Sequence, residues 1–248
     1  MTERDLTEWL AEWPYDPESV SARRVKGADG RVRIQLRVEL GILQMEEEGR
    51  PDGQRPHGYG SLLEYLQTME RTSPAATRTS LDDEACAALQ LEAVQYYHRY
   101  LAFSALGHLA GVVADCAHNL ALIELVLRKS PDRPAAEALI QLYPFVRMMH
   151  ARAKAELLMD GAGAEAAMEA VEEALHDIGA MAERHGLAES PRRMREIESL
   201  SEMLVSLRSR ETDGAETRLR REMDKAVAAE DYERAAELRD RLRAVGEG

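Results

Sequence analysis

Two hydrophobic periods follow one another near the start of the chain. The first has apolar side chains at the i, i+3, i+4, i+7 spacing of one helix face, and Pro14 ends it. These residues are Leu6, Trp9, Leu10 and Trp13. The pattern predicts a short helix that either covers the protein's own core or inserts into a groove of a partner.

The second period is the strict alternation of a half-buried β-strand. Its apolar positions are Val32, Ile34, Leu36, Val38 and Leu40. A turn that ends in Asp29-Gly30 precedes it, so residues 23–26 are predicted to form the first strand of a hairpin. Residues 40–45 are predicted to extend the second strand past a bulge at Gly41.

Helical periodicity dominates the chain from Leu81 to about Arg210. Before it, Ser61 with Glu64 three residues later predicts the cap of a shorter helix, and a Ser/Thr/Pro-rich stretch over 72–80 predicts a linker. Glycines and prolines divide the long helical part into segments of roughly 20 residues, which is typical of antiparallel helical hairpins. These breaks are Gly107, Pro131, Pro134, Gly161, Gly163 and Gly186.

We therefore expect a mainly α protein, built as a helical bundle or a stack of helical hairpins. A small β-hairpin region is expected on its N-terminal side and a further helical hairpin at its C-terminal end. The predicted regions are 1–72, 81–210 and 215–246. One bundle helix is predicted to run from 134 to 159, and a linker over 206–214 is predicted to let the last hairpin move.

The composition of the 248 residues fits this fold and excludes several classes of protein. Apolar residues make up 45% and aromatic residues 5%, which favours helices over a β-sandwich. A net charge of −13 argues against binding nucleic acid or anionic membranes over the whole surface. The polar, acidic start has no signal-peptide pattern, and the longest apolar stretch is interrupted by polar residues. Both features predict a soluble, cytoplasmic protein.

Few residues indicate catalysis. The chain has no phosphate-binding glycine loop, no G-x-S-x-G elbow and no C-x-x-C pair. Its two cysteines, Cys86 and Cys116, are too few for a disulfide framework or a four-thiolate metal site. Cys116 lies among apolar residues and is predicted to be a buried, inert thiol.

Carboxylates and histidines at helical spacing raise the hypothesis of a di-iron site. A carboxylate three residues before a histidine occurs twice, and such pairs with two further glutamates hold metal in some helical bundles. The residues are Asp115, His118, Glu173, His176, Glu92 and Glu124. Because these residue types recur by chance in an acidic helical chain, we expect no metal, no cofactor and no enzymatic activity.

Five arginines in the N-terminal region offer an alternative function. They are Arg31, Arg33, Arg37, Arg50 and Arg55. Guanidinium groups on one side of a strand and in the loop after it can hold phosphates, so this face could bind nucleic acid or another anion. The other interpretation is a solvated edge that prevents strands of different molecules from pairing, partly neutralised by nearby glutamates.

The C-terminal segment has two apolar stripes, over 219–227 and 232–245, separated by Glu230-Asp231. Asp231 can cap the second helix, and alanines in both stripes let the helices approach closely. A lone hairpin of this size cannot bury enough surface to be stable. Its apolar face therefore needs the rest of this chain, a second copy or another protein.

This segment resembles the UVR motif. The resemblance is carried by Tyr232-Glu233-x-Ala235-Ala236-x-Leu238-Arg239-Asp240 with Leu242 and Val245 after it. The motif occurs in the UvrB and UvrC subunits of bacterial excision repair, in some Clp-type chaperones and in small activators of a protein-arginine kinase. In this family it is a protein–protein interaction hairpin that pairs UvrB with UvrC and can self-associate. The resemblance implies that Tyr232, Ala236, Leu238 and Arg239 lie in the contact with a partner, and we expect Leu219, Met223 and Leu242 of the apolar stripes to take part in it.

The resemblance is confined to residues 216–245. The chain lacks the phosphate loop of UvrB, any recognisable endonuclease pattern of UvrC and the paired cysteines of the kinase activators. We therefore expect a bacterial adaptor or scaffold that recruits a protein partner or a second copy, in DNA repair or stress-linked proteolysis. Such an adaptor should lose its partner when Tyr232 or Leu238 becomes charged.

Overall fold

The computed structural model describes residues 5–73, 79–132, 134–187, 190–229 and 231–246. Residues 74–78 of the predicted linker, and Glu230 of the last hairpin, lie outside the described residues. The chain divides into two compact units, Met1–Ala153 and Lys154–Gly248. In its described part the first unit combines a small sheet with helices, and the second contains helices alone.

The small N-terminal β region is confirmed, and it has one strand more than predicted. The strands are β1 Ala22–Lys26, β2 Val32–Val38 and β3 Gly41–Glu46, an antiparallel meander in the order β1-β2-β3. The predicted extension of the second strand is wrong, because Val38 pairs with Gly41 and the chain reverses between them. Leu40 continues the apolar alternation, but it lies at the tip of this turn and is 87% exposed.

The helices that begin in the first unit are α1 Thr7–Glu12, α2 Leu62–Thr72, α3 Asp83–Ala105, α4 Leu109–Lys129, α5 Pro134–Ile140 and α6 Tyr143–Gly161. The predicted cap is confirmed, since Ser61 Oγ accepts the N–H of Glu64 at 3.0 Å. The short helix α1 is also confirmed, although none of its side chains is buried. The single helix predicted over 134–159 is wrong. Pro144 has no N–H to continue the helical ladder and is tolerated only in a first turn, here that of α6.

Helices α3 and α4 provide most of the core of the first unit. Their fully buried side chains include Leu89, Tyr100, Val112, Leu122 and Ile123. Among the described residues, α4 is the one helix long and apolar enough to cross a membrane by length and composition alone. Its buried Asp115 and Asn119 both hydrogen-bond to α3, which is typical of a core helix.

A buried ion pair joins these helices to the sheet. Arg99 of α3 donates to both carboxylate oxygens of Asp115 of α4, at 2.8 and 2.7 Å. The same guanidinium group donates to the backbone carbonyls of Glu46 and Gly49, at 3.0 and 2.7 Å. One side chain therefore fixes the end of β3 against both core helices.

A second buried carboxylate holds the start of α2. Glu92 of α3 is fully buried and accepts the backbone N–H groups of Leu62 and Leu63 at 2.8 and 3.0 Å. Its Oε1 lies 3.2 Å from His118 Nε2, and Tyr96 stacks on that imidazole with 3.6 Å between ring centroids. Burial by itself raises the pKa of Glu92, but the hydrogen bonds from His118 and the two N–H groups outweigh it. The pKa therefore lies below its ordinary value of 4.5.

The second unit contains α7 Ala164–His185, α8 Pro191–Ala228 and α9 Tyr232–Gly246. The predicted mobile linker over 206–214 is wrong, because α8 runs through it without a break for 38 residues. A single glycine costs about 1 kcal/mol relative to alanine and does not end a helix that is supported on both sides. Here both α7 and α9 pack on α8, and Arg208 within this stretch contacts Glu172 of α7 at 3.0 Å.

Candidate interaction site: the C-terminal helical hairpin

The turn between α8 and α9 is built by Asp231. Its backbone N–H donates to the carbonyl of Ala226 at 2.9 Å, which closes the end of α8. Its carboxylate accepts the N–H of Arg234 at 3.0 Å, so it caps α9 as its sequence position predicts. Because so short a connection reverses the chain, the two helices run antiparallel.

The two helices enclose a small core of their own, called here the hairpin core. Leu219, Ala226 and Leu238 are buried in it, and Leu238 has no exposed surface. Three half-buried side chains complete it, namely Met223, Ala235 and Leu242. Alanine on both helices leaves room for the backbones to come close, as the apolar pattern of the sequence suggests.

The structure separates the predicted partner-binding residues into two groups. Four of them face the hairpin core, namely Leu219, Met223, Leu238 and Leu242. Tyr232 is 69% exposed, the Arg239 side chain is 58% exposed, and Ala236 is half-buried. A charge at Leu238 would therefore disrupt the hairpin itself, so Tyr232 is the better position for testing partner binding.

One exposed residue of the hairpin escaped the sequence reasoning. Val227 is 49% exposed at the end of α8, next to buried Ala226. In the sequence it belongs to the first apolar stripe, which predicts one more core residue. Only the orientation of α8 against α9 places it outside the hairpin core.

The arginines of the sheet are already engaged within the protein. Arg31 contacts Glu46 at 2.8 Å, and Arg33 contacts Glu46 at 3.0 Å and Asp29 at 2.6 Å. The Arg33 hydrogen bonds lower the pKa of Asp29 to about 2. Arg37 is buried, with its guanidinium group bonded to backbone carbonyls of the neighbouring turn and of Trp13.

The two loop arginines are held in the same way. Arg50 Nε lies 3.4 Å from Glu92 Oε2 and 3.5 Å from Asp52 Oδ1. Arg55 donates to the carbonyl of Gly58 at 3.1 and 3.3 Å. The five arginines therefore do not form one open cluster, because each contacts acceptors within the protein, and Arg31 and Arg33 share Glu46.

The structure brings Glu92 and His118 together but does not assemble the hypothetical di-iron set. Asp115 is occupied by Arg99, and within the described ranges no three or more His, Cys, Asp or Glu side chains are grouped as metal ligands. Cys116 is buried, and burial raises the pKa of its thiol well above the usual range. The thiol is therefore protonated at neutral pH, as its apolar surroundings predict.

Comparison with known proteins supports the assignment made from these residues. Residues 217–247 match the family model described as UvrB/uvrC motif. No curated protein and no solved structure matches the chain. The hairpin formed by the end of α8 and by α9 is thus a UVR motif, carried at the C-terminal side of a mainly helical protein.

Proposed function

We propose that this protein is a non-enzymatic adaptor that binds another protein through its UVR hairpin. UVR motifs take part in protein–protein and DNA-repair-related interactions, and the match to residues 217–247 carries the proposal. The exposed Tyr232 and Val227 support it. When a partner covers a large aromatic ring and a branched side chain, the removal of their apolar surface from water lowers the free energy of the complex.

The rest of the chain acts as the scaffold in this proposal. Its buried reactive groups already have partners or lie away from solvent. The carboxylates of Glu92 and Asp115 form ion pairs, and the cysteine thiols are buried. The five N-terminal arginines already contact acceptors in the protein, by hydrogen bonds or, for Arg50, by ion pairs, which favours the adaptor over the alternative of a nucleic-acid or phosphate binder. We place the adaptor in the bacterial cytoplasm, in DNA repair or stress-linked proteolysis, where the motif's relatives act.

The test is affinity purification of the full chain from its native cells after nuclease treatment, with proteins identified by mass spectrometry. The test variant is Tyr232→Ala, and Glu237→Ala is the control on the same helix. Both residues are exposed, so both variants should keep the helical circular dichroism of the parent. We expect a partner that survives nuclease, is lost with Tyr232→Ala and is kept with Glu237→Ala. Recovery of the same proteins with all three baits would refute the adaptor proposal.

A further inference from the structure

The UVR hairpin has two faces that differ in chemistry. On each helix, consider the residues that come one position after a residue of the hairpin core. They form a row on one side of the helix, because each step along an α-helix turns by about 100°. In an antiparallel pair these two rows lie on the same face. On α8 the row holds Arg220, Asp224 and Val227, and on α9 it holds Ala236, Arg239 and Arg243. Tyr232 lies seven residues before Arg239 and joins this row.

This face, called here the docking face, is apolar at one end and basic at the other. Its apolar end lies near the turn and consists of Val227, Tyr232 and Ala236. Arg220, Arg239 and Arg243 lie toward the other end of the hairpin. Arg220 contacts half-buried Glu216 and Arg239 contacts exposed Asp240, both at 3.0 Å. Both guanidinium groups are exposed, and such contacts exchange readily with a partner. Asp224 is the one carboxylate in the row.

Among the side chains that the structure describes, the opposite face shows no comparable apolar surface. Its row, one position before the hairpin-core residues, contains Glu222, Lys225, Arg234, Glu237 and Arg241. All five side chains are charged and exposed, and Arg234 and Glu237 contact each other at 2.8 Å. Mixed charges of this kind are typical of a solvated surface. Of the two described rows, the docking face is therefore the one that offers a partner apolar contact.

We infer that the docking face binds an amphipathic helix of another protein, with apolar side chains beside Tyr232 and Val227 and carboxylates beside Arg239 and Arg243. The inference rests on the proposed function and adds the chemistry of the partner. Charge complementarity is the argument for an acidic partner, because three guanidinium groups lie at one end of the docking face in a chain whose net charge is −13. A nucleic-acid duplex would engage the arginines through its phosphates but offers no apolar side chain to cover Val227.

Photo-cross-linking in the native cells tests this pairing. A photoreactive amino acid replaces Asp224, which is exposed at the margin of the docking face. Mass spectrometry then identifies the cross-linked molecule and the segment bound. The charge-reversal variant is Arg243→Glu, and Arg241→Glu is its matched control. Both arginines are exposed in the last turns of α9 but lie on opposite faces of the hairpin, so any general effect on the helix is shared.

We expect the cross-link to reach a segment with helical apolar spacing and Asp or Glu beside it. Binding of that segment as a synthetic peptide to the full chain should weaken roughly tenfold with Arg243→Glu and change little with Arg241→Glu. Reversing the facing carboxylate of the peptide to lysine should restore binding to Arg243→Glu.

Three results would overturn the inference. They are a cross-link to nucleic acid, a cross-link to a second copy of this chain, and equal losses with Arg243→Glu and Arg241→Glu. If the partner is lost with Tyr232→Ala but is insensitive to Arg243→Glu, the adaptor proposal stands and the acidic partner does not. If no protein cross-links at all, both fail.

Discussion

The buried polar groups of the first unit and the charged groups of the UVR hairpin are organised in opposite ways. Arg99 reaches across 16 residues to Asp115 and across about 50 residues to Glu46 and Gly49, and the ion pair is buried. In the hairpin the ion pairs join residues one to four positions apart, and their side chains are largely exposed.

This difference distinguishes the first unit, whose buried charges hold its fold, from the UVR hairpin, whose exposed charges can pair with another molecule. Breaking a buried pair leaves an uncompensated charge away from water, whereas exposed pairs contribute about 0–1 kcal/mol and re-form with another charge at little cost. The hairpin is held by a small apolar core instead. Its charges are therefore available for recognition without loss of the fold.

The largest effect is expected from Arg99→Ala. The substitution leaves Asp115 buried without its partner, so the first unit should lose about 3–5 kcal/mol of unfolding free energy. Urea unfolding followed by tryptophan fluorescence measures it, because both tryptophans, Trp9 and Trp13, belong to this unit. The comparison variant Arg239→Ala lies in the second unit, so its unfolding is followed by helical circular dichroism, and it should change stability by less than about 0.5 kcal/mol. Similar losses for both variants would contradict the contrast between buried and exposed pairs.

The next effect is expected from Leu238→Ala. Leu238 is fully buried, and removal of its side chain should cost about 2–4 kcal/mol within the hairpin core. Hydrogen exchange should accelerate over 219–242 and stay unchanged in α3 and α4. Tyr232→Ala serves as the control and should leave exchange in the hairpin nearly unaltered. If exchange accelerated equally in the control, the assignment of Leu238 to the hairpin core and of Tyr232 to its surface would be wrong.

A smaller, pH-dependent effect is expected from Glu92→Gln. The amide keeps the shape but loses charge-assisted hydrogen bonds to Leu62, Leu63 and His118, a cost of about 1–3 kcal/mol at pH 7. Since the folded pKa of Glu92 lies below 4.5, its stabilisation is complete above that pH and is lost as the pH falls through the folded pKa. Urea unfolding between pH 7 and 3 should therefore show the two proteins converging in acid. A constant gap between them would mean that the pKa of Glu92 is the same in the folded and the unfolded state.

The smallest effect, and a stabilising one, is expected from Gly214→Ala. An added Cβ at this position in α8 meets no atom within 4 Å, and alanine favours a helix by about 0.5–1 kcal/mol over glycine. Hydrogen exchange over 209–216 should slow. Gly163→Ala is the opposite control, because φ is +93° at Gly163 and alanine is strained there. Slower exchange near both glycines would show that the backbone at Gly163 is free to adjust.

Local features account for what could be predicted. The apolar spacing and the cap at Asp231 predicted the hairpin, and the Ser61 cap predicted α2, because periodicity and capping act within a few residues. The errors occurred where a local signal was ambiguous. Leu40 continued a strand pattern into a turn, and Gly214 suggested a break in a helix that its neighbours support.

The sequence by itself determined that this is a mainly helical protein with a UVR motif at its C-terminal side, since helical period, capping and the motif are all local. Tertiary structure alone decided which side chains stay exposed and can contact a partner. Leu238 and Tyr232 both carry the motif, yet one is enclosed and the other exposed. Likewise Arg37 is buried and Arg243 is exposed, although both are arginines beside apolar residues. The reason is physical: burial and ion pairing depend on which segments meet in space, and that information is not contained in the spacing of neighbouring residues.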